Sequence, residues 1–183
     1  MARIAALLES AVTGLSWAMT AVAALAVGLI VAILLFSAVQ RYVLASPFPQ
    51  TEELAAFLFV VVAFFSIPLG FLKGRQIRIV ALWRKLPPAL QGWAAILGHL
   101  LTIFVLVMII QETGAFAHLS YEFGSRSWNA DFLEWPWQAV IPGSLAVMVL
   151  AVAARLLADL GRVLAGRPVA AAEQAARAQV EPE

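Results

Sequence analysis

Four stretches of this chain, 15–39, 54–72, 93–110 and 137–157, are almost free of charged side chains, the first entirely so. Each is about as long as the ~20 apolar residues needed to cross a hydrocarbon core. That pattern leaves little room for a soluble fold. Of the 183 residues, 63% are hydrophobic and 13% charged, against about 45–50% apolar and 25% charged in soluble domains. One core of this size cannot bury the excess, so lipid must take much of it. The first run is longer than the 7–15-residue core of a signal peptide, and no clean small-x-small cleavage site follows it. We therefore expect it to be retained as a helix.

The loops orient the helices. Lys73, Arg75, Arg78, Arg84 and Lys85 lie between the second and third runs with no acid among them. Arg3 precedes the first run, and Arg155, Arg162, Arg167 and Arg177 lie at the C-terminal end. The first loop offers only Arg41 and the third only Arg126, beside Glu112, Glu122, Asp131 and Glu134. The excess of basic residues marks the cytoplasmic side, which places both termini and the central loop there. An even number of spans requires the termini to share a side, so the assignment is self-consistent. We expect an all-α membrane protein of four transmembrane helices with short interfacial amphipathic helices. Residues 1–165 form one transmembrane domain in this reading, and 166–183 a flexible cytoplasmic tail.

The connecting pieces carry further expectations. Residues 1–14 read either as a short interfacial helix or as an extension of the first span. Thr51 is placed as the N-cap of the second helix, with Glu52 and Glu53 in its first turn, where acids suit the helix dipole. Either that capping is their whole role or, since Arg41 stands at similar depth and a charge near lipid is costly unless paired, one of the two glutamates pairs with Arg41 or with a partner subunit. Pro68 should kink the second helix, and Gly70 with Gly74 gives a small-xxx-small spacing. The segment 73–88 alternates basic and bulky apolar residues. It is read as an interfacial helix in which Arg75, Arg78, Trp83, Arg84 and Lys85 anchor the lipid surface. Residues 111–136 are read as the longest outward loop, acidic and aromatic, serving either as a solvated loop or as a docking surface for a soluble partner. Pro142 is expected one turn into the fourth helix.

No constellation of residues points to catalysis. The absence of cysteine removes disulfides, thiolate chemistry and cysteine-ligated metals, without fixing the compartment. His99 and His118 are too far apart along the third helix for one haem to bridge, so a packing or hydrogen-bonding role is expected of them. No serine–histidine–acid grouping, phosphate loop or metal-ligand cluster is present. No basic stretch stands clear of the apolar runs, so nothing points to nucleic acid. We expect neither catalytic residues, nor a metal, nor a cofactor. Apart from His99, no ionisable group lies in the central part of a run. A carrier with its own path normally has polar groups or broken helices near the midplane.

The order of these features resembles one family. RYVLASPFPQTEELAAFLFV followed by FLKGRQIRIVALWRKLPP is similar to the small membrane subunit, DctQ type, of tripartite ATP-independent periplasmic (TRAP) transporters. The matching landmarks are Arg41-Tyr42, Pro49, Glu52-Glu53-Leu54, then Gly74, Arg75 and Ile77-Arg78-Ile79. Near the end, Trp135-Pro136-Trp137 and Ile141-Pro142-Gly143-Ser144 resemble the family's entry into its last helix. The resemblance implies a scaffold for a large DctM-type membrane subunit, working with an extracytoplasmic substrate-binding protein. It further implies ion-gradient-driven uptake of an organic acid, such as a dicarboxylate, across a bacterial inner membrane. The third loop is longer than in the shortest members, so no substrate subclass is implied. An assembly subunit of another membrane complex shares the same physics, while a self-contained homo-oligomer would need a polar pore face, which the apolar runs do not offer.

Overall fold

The computed structural model describes residues 2–44, 50–73 and 87–165. Its helices are α1 (Ala2–Tyr42), α2 (Gln50–Phe65), α3 (Ile67–Leu72), α4 (Pro88–Glu122) and α5 (Trp135–Leu164). Among the described residues the protein is all-helical apart from one isolated β-bridge, Arg126 with Leu133. Four spans are long and apolar enough to cross a membrane: Leu8–Tyr42, Gln50–Leu72, Leu90–Glu122 and Trp135–Leu164. The chain runs up and down between two faces. We call them the terminal face, where α1 begins and α5 ends, and the loop face, which carries the connections after α1 and α4.

α1 is unbroken, so residues 2–14 extend the first span and do not form a separate helix. It turns one narrow stripe inward. Val12, Ser16, Met19, Ala23, Ala26 and Ser37 are buried, with Ile30, Ile33 and Gln40 half-buried between and beyond them. Those positions alternate by four and three, the heptad spacing of a left-handed helix pair. The stripe is rich in small residues, which lets backbones approach where lipid removes any hydrophobic drive between helices. Leu25, Leu35 and Phe36 point the other way and are exposed.

α2 and α3 are one span broken at Ser66. Pro68, at the start of α3, has no N–H to offer the carbonyl of Phe64, so the ladder opens one turn before it, as expected from the sequence. The Ser66 hydroxyl donates to the Ala63 carbonyl at 3.1 Å instead. α2 starts at Gln50, one residue before Thr51. A Cβ at Gly70 would meet nothing within 4 Å, so no close helix approach uses it. Gly74 and the proposed interfacial helix, including Arg75, Arg78, Trp83, Arg84 and Lys85, lie outside the described residues, as does 166–183.

The third helix corrects the sequence reading. Residues 111–122 continue α4 for another three turns, and the connection to α5 is only 123–134. Gly124 supplies the stop. Its φ is +58°, and the Ser125 N–H reaches the Ser120 carbonyl at 2.9 Å while the Gly124 N–H reaches Tyr121 at 3.2 Å. That pair of bonds is the Schellman termination, which favours glycine because its left-handed residue has no Cβ to clash. α5 likewise starts earlier than expected, at Trp135, so Pro142 lies two turns inside it and Pro136 takes the first turn.

α5 is the hub, packing against α1, α2, α3 and α4, while α4 leans on α5. Ala151, Val152, Ala154 and Ser144 of α5 are almost fully buried. Ala151 meets Val12 of α1 and Leu72 of α3 where three helices converge. α4 repeats the geometry of α1, turning Gly92, Ile96, His99, Ile103, Leu106, Ile110, Ala117 and Ser120 inward at heptad spacing.

Candidate functional site

The polar groups are gathered at the two ends of the bundle. At the loop face the Arg41 guanidinium hydrogen-bonds the Glu52 carboxylate, tying the end of α1 to the start of α2. Both side chains are more than half exposed, so the pair fixes geometry more than it adds stability. Glu53 does different work. Its Oε2 accepts the Ala130 N–H at 2.8 Å, which holds the connection between α4 and α5 over the start of α2.

That connection is a small closed structure. The Ser127 N–H donates to Phe132 O at 2.8 Å, and the Phe132 N–H to Ser127 Oγ at 3.1 Å. Arg126 Nη1 donates to Asp131 Oδ2 at 2.9 Å and to its carbonyl at 3.1 Å. Asp131 takes φ +57°, a conformation that aspartate tolerates better than most residues. Below it, Phe57 stacks on Trp137 with ring centroids 5.3 Å apart, and Tyr121 meets Trp135 edge-on at 5.3 Å. The Tyr and Trp rings among these suit an interfacial belt, apolar in body and polar at the tip. Trp128, at the tip of the loop, is 97% exposed.

The terminal face is tied by Arg155. Its Nη2 donates to the Leu72 carbonyl at 2.7 Å, and its Nε stands 3.6 Å from Glu9 Oε1. One side chain thus joins α5 to the end of α3 and to α1. Leu72 closes α3, where carbonyls lose their helical partners, so a guanidinium there satisfies an acceptor the helix cannot. Lys73 Nζ lies 4.4 Å from the centre of the Trp17 ring, a cation–π contact between α3 and α1.

His99 has a definite partner. Its Nε2 lies 3.1 Å from Asp159 Oδ2, with both side chains largely buried, and Arg162 Nη1 donates to Asp159 Oδ1 at 2.8 Å. The hydrogen-bonding role expected of His99 is therefore filled, by an acid that lay beyond the end of the fourth apolar run. His118 is exposed and stands 3.7 Å from Glu122 one turn on. Among the described residues, no group of three or more His, Cys, Asp or Glu is placed to hold a metal ion.

Of the residues singled out in the sequence, Arg41 and Glu52 are brought together, while Glu53 turns to a backbone amide 77 positions away. Arg155 and Asp159, which organise the terminal face, were not singled out. The described residues form an antiparallel bundle of apolar spans whose ion pairs lie near its two ends. The chain matches the family model for tripartite ATP-independent periplasmic transporters, DctQ component, over residues 30–162. It belongs to that family, whose members are the small membrane subunits of TRAP transporters. No curated protein and no solved structure gives a significant match.

Proposed function

We propose that this small permease subunit scaffolds a large DctM-type membrane subunit. The assembled complex takes up an organic acid, a dicarboxylate for example, that an extracytoplasmic binding protein delivers. An ion gradient drives uptake, across a bacterial inner membrane. The terminal face, with both chain ends and segment 73–88, is cytoplasmic, as the ten basic residues on that side against two on the other support. Arg41, Glu52 and Glu53 set the outer ends of the first two spans. Arg75, Arg78, Trp83, Arg84 and Lys85 anchor the inner side to lipid.

One observation carries the supporting role. Between the Arg41–Glu52 pair at one end and Glu9–Arg155 at the other, α1, α2, α3 and α5 hold no ionisable side chain except Glu53, at the rim. A chain that moved a charged substrate or ion by itself would need polar groups along that stretch. The test is reconstitution of uptake in proteoliposomes with the binding protein and an imposed sodium or proton gradient. The large subunit with this chain should transport, and each alone should not. Transport by this chain alone would overturn the reading.

A further inference from the structure

The apolar belts of the helices are not level with one another. Phe57 stacks on Trp137 and Leu72 packs on Ala151, so the middle of the 54–72 run, Ala63, lies level with residue 143 or so of α5. Tyr121 meets Trp135 and His99 meets Asp159, so the middle of the 93–110 run lies level with residues near 155. The 137–157 run of α5 itself is centred on Val147. The belt centres therefore descend in order from α2 through α5 to α4, and α5 is the helix both neighbours pack on. From α2 to α4 the descent is about 12 residues, or about 18 Å at 1.5 Å per residue.

The outward side of α4 shows the same step. Leu97, Leu101, Phe104 and Met108 are exposed and apolar. The next turns of that stripe, Gln111, Ala115, His118 and Glu122, are exposed and largely polar, and Glu112 beside them is exposed as well. Set upright, the bundle would hold Glu112 level with Leu145, near the middle of the span of α5, where a charge facing lipid costs several kcal/mol.

We propose that the bundle sits in the bilayer with a strong tilt. The slanted belt lies in the membrane plane, the α4 side is displaced toward the loop-face side of the bilayer and the α2 side toward the other, and residues 111–122 of α4 stand in the aqueous layer at the loop face. Helix neighbours are about 8–10 Å apart, so α2 and α4 are separated by up to about 20 Å, and a descent of about 18 Å over that distance corresponds to a tilt of about 40° or more. The length of α1 agrees independently. Its uninterrupted run 15–39 measures about 37 Å and matches a ~30 Å core at a tilt of about 37°. A corollary concerns lipid. At that tilt the shorter runs of α2 and α4 project to about 22 Å, so the hydrocarbon layer thins beside them. This inference concerns the placement of the chain itself and does not rest on the transport reading.

The chain has no cysteine, so single-cysteine variants on exposed positions can be spin-labelled in lipid nanodiscs without background. Depth is read from oxygen against nickel-chelate accessibility at positions 101, 104, 108, 111, 115 and 118 of α4 and at 52, 56 and 59 of α2. The tilted bundle predicts a lipid-to-water transition between 108 and 115 on α4, with the nickel-to-oxygen ratio rising several-fold, while 56 and 59 stay in lipid. A transition on α4 only beyond 118, level with Trp135, would show an upright bundle with Glu112 in the hydrocarbon layer and would overturn the proposal.

Discussion

Replacing Arg155 by methionine removes the group that joins three helices at the terminal face, and the size of the loss is fixed by which of its two contacts matters. The bond from Nη2 to the Leu72 carbonyl is 2.7 Å and comes from a charged donor, a class that contributes about 1.5–3 kcal/mol. The contact to Glu9 is 3.6 Å, and the Glu9 side chain is 45% exposed, so solvent screening holds it to about 0–1 kcal/mol. Methionine keeps most of the apolar stem, which limits the packing loss. Arg155→Met should therefore lower unfolding free energy by about 2 kcal/mol, and Glu9→Gln by less than about 0.5 kcal/mol. Both are measurable by SDS titration in mild detergent, following helicity and the fluorescence of the six tryptophans. The double variant should cost little more than Arg155→Met alone. If Glu9→Gln costs as much as Arg155→Met, the ion pair and not the carbonyl bond holds the face together, and the reasoning is wrong.

Substitutions at three further places probe the fold. Ala151, fully buried against Val12 and Leu72, should not accept leucine: Ala151→Leu overpacks the junction by about 1–3 kcal/mol, while Ala146→Leu on the exposed side of α5 should be near neutral in the same titration. Gly124→Ala meets no atom within 4 Å, so its cost is only the strain of φ +58°, about 1 kcal/mol, and Gly124→Asn should recover part of it. Glu53→Ala releases the Ala130 N–H, so hydrogen exchange at Ala130 and protease cleavage within 123–134 should accelerate with little change in global stability. Unchanged exchange at Ala130 would remove the anchoring role given to Glu53.

Much of the architecture was legible because bilayer thickness imposes a length on every span. The number and approximate places of the spans followed from charge-free runs alone. The end of α4 did not, because hydropathy reports where lipid stops, not where the helix stops. Gln111, Glu112 and His118 break the apolar run, but no residue from 111 to 120 stops a helix, and the true stop signal was Gly124. The buried faces were also hidden from a hydropathy reading. On α1 neither hydropathy nor size separates them: Met19, Ile30 and Ile33 lie inward beside Ser16, Ala23 and Ala26, while Ala24, Gly28 and Ala32 face out beside Leu25 and Leu35.

The polar ends were legible only in part. Arg41 and Glu52 sit at matching depth across a short connection, so sequence position brings them near. The partner of His99 is 60 positions away, on a part of α5 that an apolar-run criterion leaves outside the span. The one clue was an acid, Asp159, within a basic C-terminal stretch and three residues before Arg162. The bond from Ala130 to Glu53 depends on a backbone amide, which leaves no mark in the sequence.

The central claim, a subunit that supports a larger permease, is tested most directly by what the chain binds in its native membrane. An affinity-tagged copy should be expressed in its own host, solubilised gently and purified, and the co-purifying proteins identified by mass spectrometry. The account predicts a single large, multi-helix DctM-type protein in stoichiometric amount. Recovery of the chain alone as a defined homo-oligomer would contradict it and turn attention to a path between protomers.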